Sequence, residues 1–346
     1  MKQLLLVTLL FISSIVANAA TVLSPNTDYS LTINGTVITI TAPKVVPPVV
    51  TVPPVTSQVS TKFMSGGVGT KLVVNNIEPP FPAHSQDGTG AIRVGVGFSH
   101  ANYDDPIVFP GKPGASHAHA FFGNTTIDAY SDLNNIANVG NTTSNMGIGN
   151  RSAYWIPMIL DSKTNTFVKP IDNIVYYKSG YHNSPIANIQ PIPKGLRMIV
   201  GDSKSLAPKQ WDYTYSWSCI NGNAISGGGL VMSNCPKGSM VNLQIKFNQC
   251  WDGKNLDSAD HKSHMSDLAY INNKTICPAT HPVMIPQITY NVKWLVESID
   301  SSTWKLSSDM GQSGTSAHAD YVEGLSEVVR QNMVVNCVRV KDCGGI

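Results

Sequence analysis

The segment from Cys250 to His264 holds the densest set of residues that can do chemistry. Asp252, Asp257, Asp260, His261 and His264 fall within thirteen positions, in a chain with only 13% charged residues. Two smaller clusters stand far from it: Ser116-His117-Ala118-His119 upstream and Ala317-His318-Ala319-Asp320 downstream. Five of the nine histidines lie in these three places. Carboxyl groups beside imidazoles are the parts of acid–base catalysis, where one group is held protonated and another is held as a base. The same residue types are metal ligands: His117, His119, His261, His264 and His318, with Asp260 or Asp320, suit zinc or another divalent ion. No His-Glu-x-x-His signature is present, so the metal reading rests on residue type and spacing. A third reading is structural, because buried Asp–His pairs also fix loops.

Spacing narrows these readings. Side chains two apart on an extended strand share a face, so His117 projects with His119, and His318 with Asp320. Small alanines flank both histidine pairs and leave room for a ligand to approach a ring nitrogen. The Asp252-Gly253 and Asp257-Ser258 steps read as turns. Asp260 to His264 reads as one helical turn with His261 and His264 on one side. The catalytic candidates are therefore His119, Asp257, Asp260, His261, His264 and Asp320. The metal candidates are His117, His119 and His318. Asp105 reaches toward the same cleft from just upstream. Trp251 can floor a sugar subsite. Trp211, Tyr213, Tyr215 and Trp217 alternate along one strand, and their shared face is either a stacking platform or part of the core.

The elements that must position these residues are mostly strands. Alternating segments recur between Gly, Asn, Asp and Pro clusters: Lys71-Leu72-Val73-Val74, Ile92 to Phe98, Ala153 to Leu160, Ile174 to Tyr177, Arg197 to Val200, Val241 to Phe247 and Ile288 to Val296. Helical spacing appears only across Val322 to Val335. The expectation is a mainly β chain, an antiparallel sandwich or jelly-roll-like domain with long loops and a few short helices.

Residues 1–19 read as a signal peptide: Lys2, an apolar run, then Ala17-Asn18-Ala19 as a cleavage site. No segment reaches the roughly 20 apolar residues of a membrane span. The expected location is outside the cytoplasm, extracellular or periplasmic. Residues 20–60 form a hairpin around Asn34-Gly35 followed by a stiff Pro/Val/Thr spacer. Residues 61–346 carry all three clusters and six cysteines. An even count in an exported chain predicts disulfides. The pairs Cys219–Cys235, Cys250–Cys277 and Cys337–Cys343 each close a short local loop. A net charge of +2 is too mild to mark nucleic acid or an anionic membrane as the main partner.

Longer motifs carry a resemblance. Asp105-Pro106-Ile107-Val108-Phe109-Pro110-Gly111 runs on through His117 and His119 to Phe121-Phe122-Gly123-Asn124. Cys250-Trp251-Asp252-Gly253 leads to His264-Met265, and His281-Pro282-Val283 follows. Ser307-Ser308-Asp309 leads to Ser316-Ala317-His318-Ala319-Asp320. From about residue 84 to 325 the chain resembles the secreted family catalogued as domain of unknown function nineteen-ninety-six. The resemblance implies an extracellular setting and contact with polysaccharide or cell wall, and brings no established activity. The expected function is a hydrolase-like or lyase-like enzyme acting on extracellular or cell-wall polysaccharide through a His/Asp-lined cleft. The alternatives are a metal-binding hydrolase of another substrate class and a non-catalytic carbohydrate-binding or adhesion module.

Overall fold

One long strand, Ala91–Asn102, joins the two layers of the molecule. Its first half buries Ile92, Val94 and Val96 at alternate positions, as period-2 patterning requires. That half pairs with Asp172–Lys178. Between Phe98 and His100 the register shifts, and the second half pairs with His119–Gly123 instead. A bulge of this kind bends a strand and increases its twist, which lets one strand serve two packed sheets.

The computed structural model describes strand residues 29–33, 36–40 and 64–65, and residues 90–346 apart from 181–185, 210–212, 272–273, 341 and 346. The expected signal peptide, the Pro-rich spacer, the strand expected at Lys71-Leu72-Val73-Val74 and Trp211 lie outside the described residues. The chain divides between Gln58 and Val59 into two units. In the first, Tyr29–Ile33 and Thr36–Ile40 pair antiparallel, Tyr29 opposite Ile40.

In the second unit the main sheet runs in one continuous order. Arg197–Gly201 is at one end, followed by His318–Val322, Ala153–Pro157, His119–Gly123 and the long strand. Beyond it come Asp172–Lys178, Gln287–Leu295, Met240–Lys246, Tyr215–Asn221 and Ala224–Gly229. The sheet curls so that its two halves face each other. Tyr154 meets Tyr290 with ring centroids 5.6 Å apart, and Tyr321 meets Phe247 at 6.3 Å. These are contacts of one half with the other. The buried phenols satisfy one another across the same interface: Tyr154 and Tyr177 hydroxyls lie 2.8 Å apart, and Tyr290 donates to the Asp320 carbonyl at 2.8 Å. The fold is thus an antiparallel β-sandwich with long loops, as the alternation predicts.

The expected helix is shorter than its apolar spacing. Val322 belongs to a strand, and Leu325 bridges to Asn150. Helix begins only at Glu327, where the Ser326 hydroxyl caps the Val329 N–H, and gives way to a π-helical turn at Met333–Val338. Sheet pairing claims the first apolar residues of the run before a helix can form. All three disulfides have the sequential pairing, with Cα atoms 5.5, 5.4 and 5.5 Å apart. Cys250–Cys277 closes the base of the segment that carries Asp252 to His264.

Candidate functional site

The strands place the chemistry by register. On Ala153–Pro157 the neighbours of Trp155 are Phe121 on one side and Asp320 on the other. Pro157 lies opposite His119. Carrying the other register on by two pairs puts His318 opposite Pro157 too. Proline has no N–H to donate, and ladder pairing on that side ends at Trp155. Two rows therefore cross three strands on one face: His119, Pro157, His318, and then Phe121, Trp155, Asp320. The opposite face of the same strands carries Ala120, Phe122, Tyr154, Ile156, Ala319 and Tyr321 into the main core.

A face of this kind is normally wet. Here Ile107, from the segment before the strand His119–Gly123, and Ile127, Leu133 and Ile136, from the segment after it, pack with Phe121 and Trp155 as a second apolar cluster. Asp104 ties both segments down, its carboxylate accepting from the Gly114 and Ala129 N–H groups. The histidines sit at the margin of this cover. His117 is partly exposed, while His119 and His318 are 0% and 4% exposed.

The ligand atoms of His117, His119 and His318 all lie within 4.8 Å of one another. Ring centroids are 4.3 Å apart for His117–His119 and 4.9 Å for His117–His318. The Nδ1–H of His119 donates to the Asp104 carbonyl at 2.9 Å, and that of His318 to the Ser316 carbonyl at 2.8 Å. A carbonyl can only accept, so both tautomers are fixed and each Nε2 is a bare lone pair. His318 Nε2 lies 3.1 Å from His117 Nε2. His119 Nε2 has no hydrogen-bond partner among the described residues. Burial first, then the neighbouring imidazole, pushes His117 and His318 down to about 3 and His119 well below its ordinary value. All three rings are neutral at pH 7. They are the group that can hold a metal.

Two carboxyl groups flank them. Asp320 is buried, and neither of its oxygens has a partner among the described residues. Burial, then the nearby Asp105 charge, raises its pKa well above the carboxylate range, while Lys262 pulls the other way. Burial raises Asp105 as well, against hydrogen bonds from the Val108 and Ile107 N–H groups and the charge of His261. The charge of His261 thus acts on Asp105. Its Nδ1 lies 2.9 Å from Asp257 Oδ1, which orients the ring and leaves Nε2 outward. His261 also holds a φ of +59°, a left-handed backbone uncommon outside Gly, Asn and Asp. The neighbouring Lys262 donates to the Gly201 carbonyl, pinning the turn to the end of the sheet.

Several expected site residues do other work. Asp260 is exposed, and its Oδ1 accepts from the Ser258 hydroxyl and from the Lys262 and Ser263 N–H groups. The Ser263 N–H first, then the Ser258 hydroxyl, hold its carboxyl far below the usual range. It anchors a turn and has no proton to give. His264 is buried with both ring nitrogens used, on Ser258 at 2.8 Å and the Arg197 carbonyl at 2.7 Å. It too fixes the segment. The expected helical turn over Asp260 to His264 is absent, because Asp260 closes a turn there instead. Trp217 is fully buried against Trp294 and donates to the Gly314 carbonyl, and Tyr215 is buried beside it, so these two belong to the core and not to a sugar platform, while Tyr213 is exposed ahead of the strand. Trp251 is half-buried against the core and donates to the Asn255 carbonyl within its own loop.

Spacing alone did not single out Asp309 or Lys262. One oxygen of Asp309 accepts from the Ser316 N–H and hydroxyl, the other from the Leu306 and Gly314 N–H groups. It holds Ser316, whose carbonyl in turn holds His318. The one available signal was the Ser-Ser-Asp step shortly before the last histidine cluster.

No curated protein and no solved structure matches the chain. A family model described as Domain of unknown function (DUF1996) matches residues 105–325, spanning every residue of the convergent site, and the chain belongs to that family.

Proposed function

We propose that the chain is an exported hydrolase-like or lyase-like enzyme acting on extracellular or cell-wall polysaccharide at this site. The observation that carries the reading is the meeting of His117 and His119 with His318 from a remote strand, with the buried carboxyl of Asp320 in the adjacent row; electrostatic influence of Asp105 on Asp320, and of His261 on Asp105, supports placing those groups at the same site. Cleaving a glycosidic bond by water needs a base for the attacking water and an acid for the departing oxygen. Elimination needs a base for a ring proton and the same acid. His261, oriented by Asp257, is the base in this scheme. Asp105 and Asp320, both raised by burial, stand on the acid side. Three disulfides suit an oxidising compartment, and no helix among the described residues is long and apolar enough to cross a membrane.

The test is a panel of neutral and acidic cell-wall polysaccharides, read for new reducing ends and for unsaturated ends. The expected result is turnover on at least one, falling on the order of 100-fold in His261→Asn, a substitution that tolerates the left-handed backbone. Folded wild-type protein that binds a polysaccharide and releases neither product overturns the reading.

A further inference from the structure

We infer that His117, His119 and His318 form a binding site for one divalent transition-metal ion of the zinc class. The proposal stands apart from the choice of substrate. Its first support is distance. A tetrahedral ion about 2.05 Å from each imidazole nitrogen sets those nitrogens about 3.3 Å apart. The His117 and His318 Nε2 atoms already stand at 3.1 Å, and no ligand atom of the three is further than 4.8 Å from another.

The second support is tautomer. Metal-bound histidines commonly donate their other N–H to a carbonyl or carboxylate, which aims the ring and makes the free nitrogen a better ligand. His119 and His318 both do so, through carbonyls that accept no other assignment. The outer partners are themselves held, Asp104 by two N–H groups and Ser316 by Asp309. In the metal-free protein His117 must supply the proton shared with His318. Moving that proton to His117 Nδ1 frees the third lone pair.

The third support is what stays unsatisfied. His119 Nε2 is buried and without a hydrogen-bond partner among the described residues, and so are both oxygens of Asp320 in the adjacent row. An unpaired buried polar atom costs about 1–3 kcal/mol. A purely structural histidine cluster leaves that cost unexplained, whereas a cation answers both: it takes the imidazole lone pair and gives the carboxylate a counter-charge. Imidazole ligands suit zinc, copper, iron and nickel over magnesium and calcium. Three histidines leave zinc one position for water or a substrate oxygen.

Cobalt(II) is the direct probe, because its visible spectrum reports tetrahedral coordination and needs no turnover. The full chain, stripped with a chelator and dialysed, is expected to take up one equivalent of cobalt(II), displaced by one equivalent of zinc. Uptake should fall to none in His119→Ala. It should weaken more than about tenfold in His117→Gln, which alters a half-exposed side chain and keeps the fold. His281→Gln, at a partly exposed ring engaged with Thr280 and the Ser263 carbonyl, should leave uptake at one equivalent. A folded wild-type chain that binds neither ion stoichiometrically overturns the proposal, as does uptake indifferent to both His117→Gln and His119→Ala. Turnover of a polysaccharide by a chain that takes up neither ion overturns it while sparing the enzymatic reading. Stoichiometric metal without turnover on any polysaccharide supports it while removing that reading.

Discussion

The two richest His/Asp regions of the chain are built on opposite principles. Residues 252–264 form a loop whose polar groups satisfy one another: Asp252 holds the Lys254 and Asn255 N–H groups, Asp260 closes the next turn, and His264 uses both ring nitrogens. His117, His119, His318 and Asp320 are positioned by strands or at strand ends, and there His119 Nε2 and both Asp320 oxygens have no hydrogen-bond partner among the described residues. Satisfied polar groups make a loop rigid, and unsatisfied ones in a buried place are available to bind. Density of chemically able residues is therefore a poorer guide than the hydrogen bonds they still lack. Only the Asp257–His261 pair crosses from the loop to the site.

The comparison breaks most visibly at the metal. His119→Ala should abolish cobalt(II) uptake, while Asp260→Asn should retain one equivalent. The reverse result, read from the same spectra, would make the loop the site. Acid is the next lever. His117 and His318 are lowered from 6.5 to about 3, so the unfolded chain binds more protons than the folded one between those values. Their contribution to stability is fully present above pH 6.5 and is lost as pH falls toward 3. Allowing for the partial exposure of His117 and the coupling of the rings, the loss is on the order of 3 kcal/mol in metal-free protein. Urea unfolding across that pH range checks it, and His117→Gln should flatten the slope.

His264→Ala should cost about 2 kcal/mol, through a buried ring and two lost hydrogen bonds, and leave cobalt stoichiometry unchanged. Paired denaturation and metal titration separate the two effects. Asp309→Ala acts more gently: it frees Ser316 and should weaken cobalt binding about tenfold with the stoichiometry still one, while Asp309→Asn should recover part of the loss. A tight, unaltered affinity in the alanine variant would mean that the His318 tautomer does not depend on its outer partner.

Much of this arrangement was legible in the sequence, for identifiable reasons. Strand alternation marked Ile92 to Phe98, Ile174 to Tyr177 and Val241 to Phe247 because one side chain in two is buried there. The period of two also put His318 and Asp320 on one face. Short loop closure gave the disulfides. What misled was chemical ambiguity. Asp and His anchor turns with the same atoms they use in catalysis, so Asp260 and His264 looked equivalent to Asp257 and His261. Trp217 alternated as a platform would, but alternation does not say which face is inward. The cover that Ile107, Ile127, Leu133 and Ile136 form over Phe121 and Trp155 depends on contacts between separate segments, and no local pattern announces it.

His117 and His318 are 201 residues apart in the chain, and the strand carrying His318 is among the last to be made. A growing or truncated polypeptide short of that strand has two imidazoles and no third. Ion capture is consequently a readout of nearly completed folding: the protein loads only after the late strand His318–Val322 has docked, and a chain that stalls earlier stays empty however much metal surrounds it.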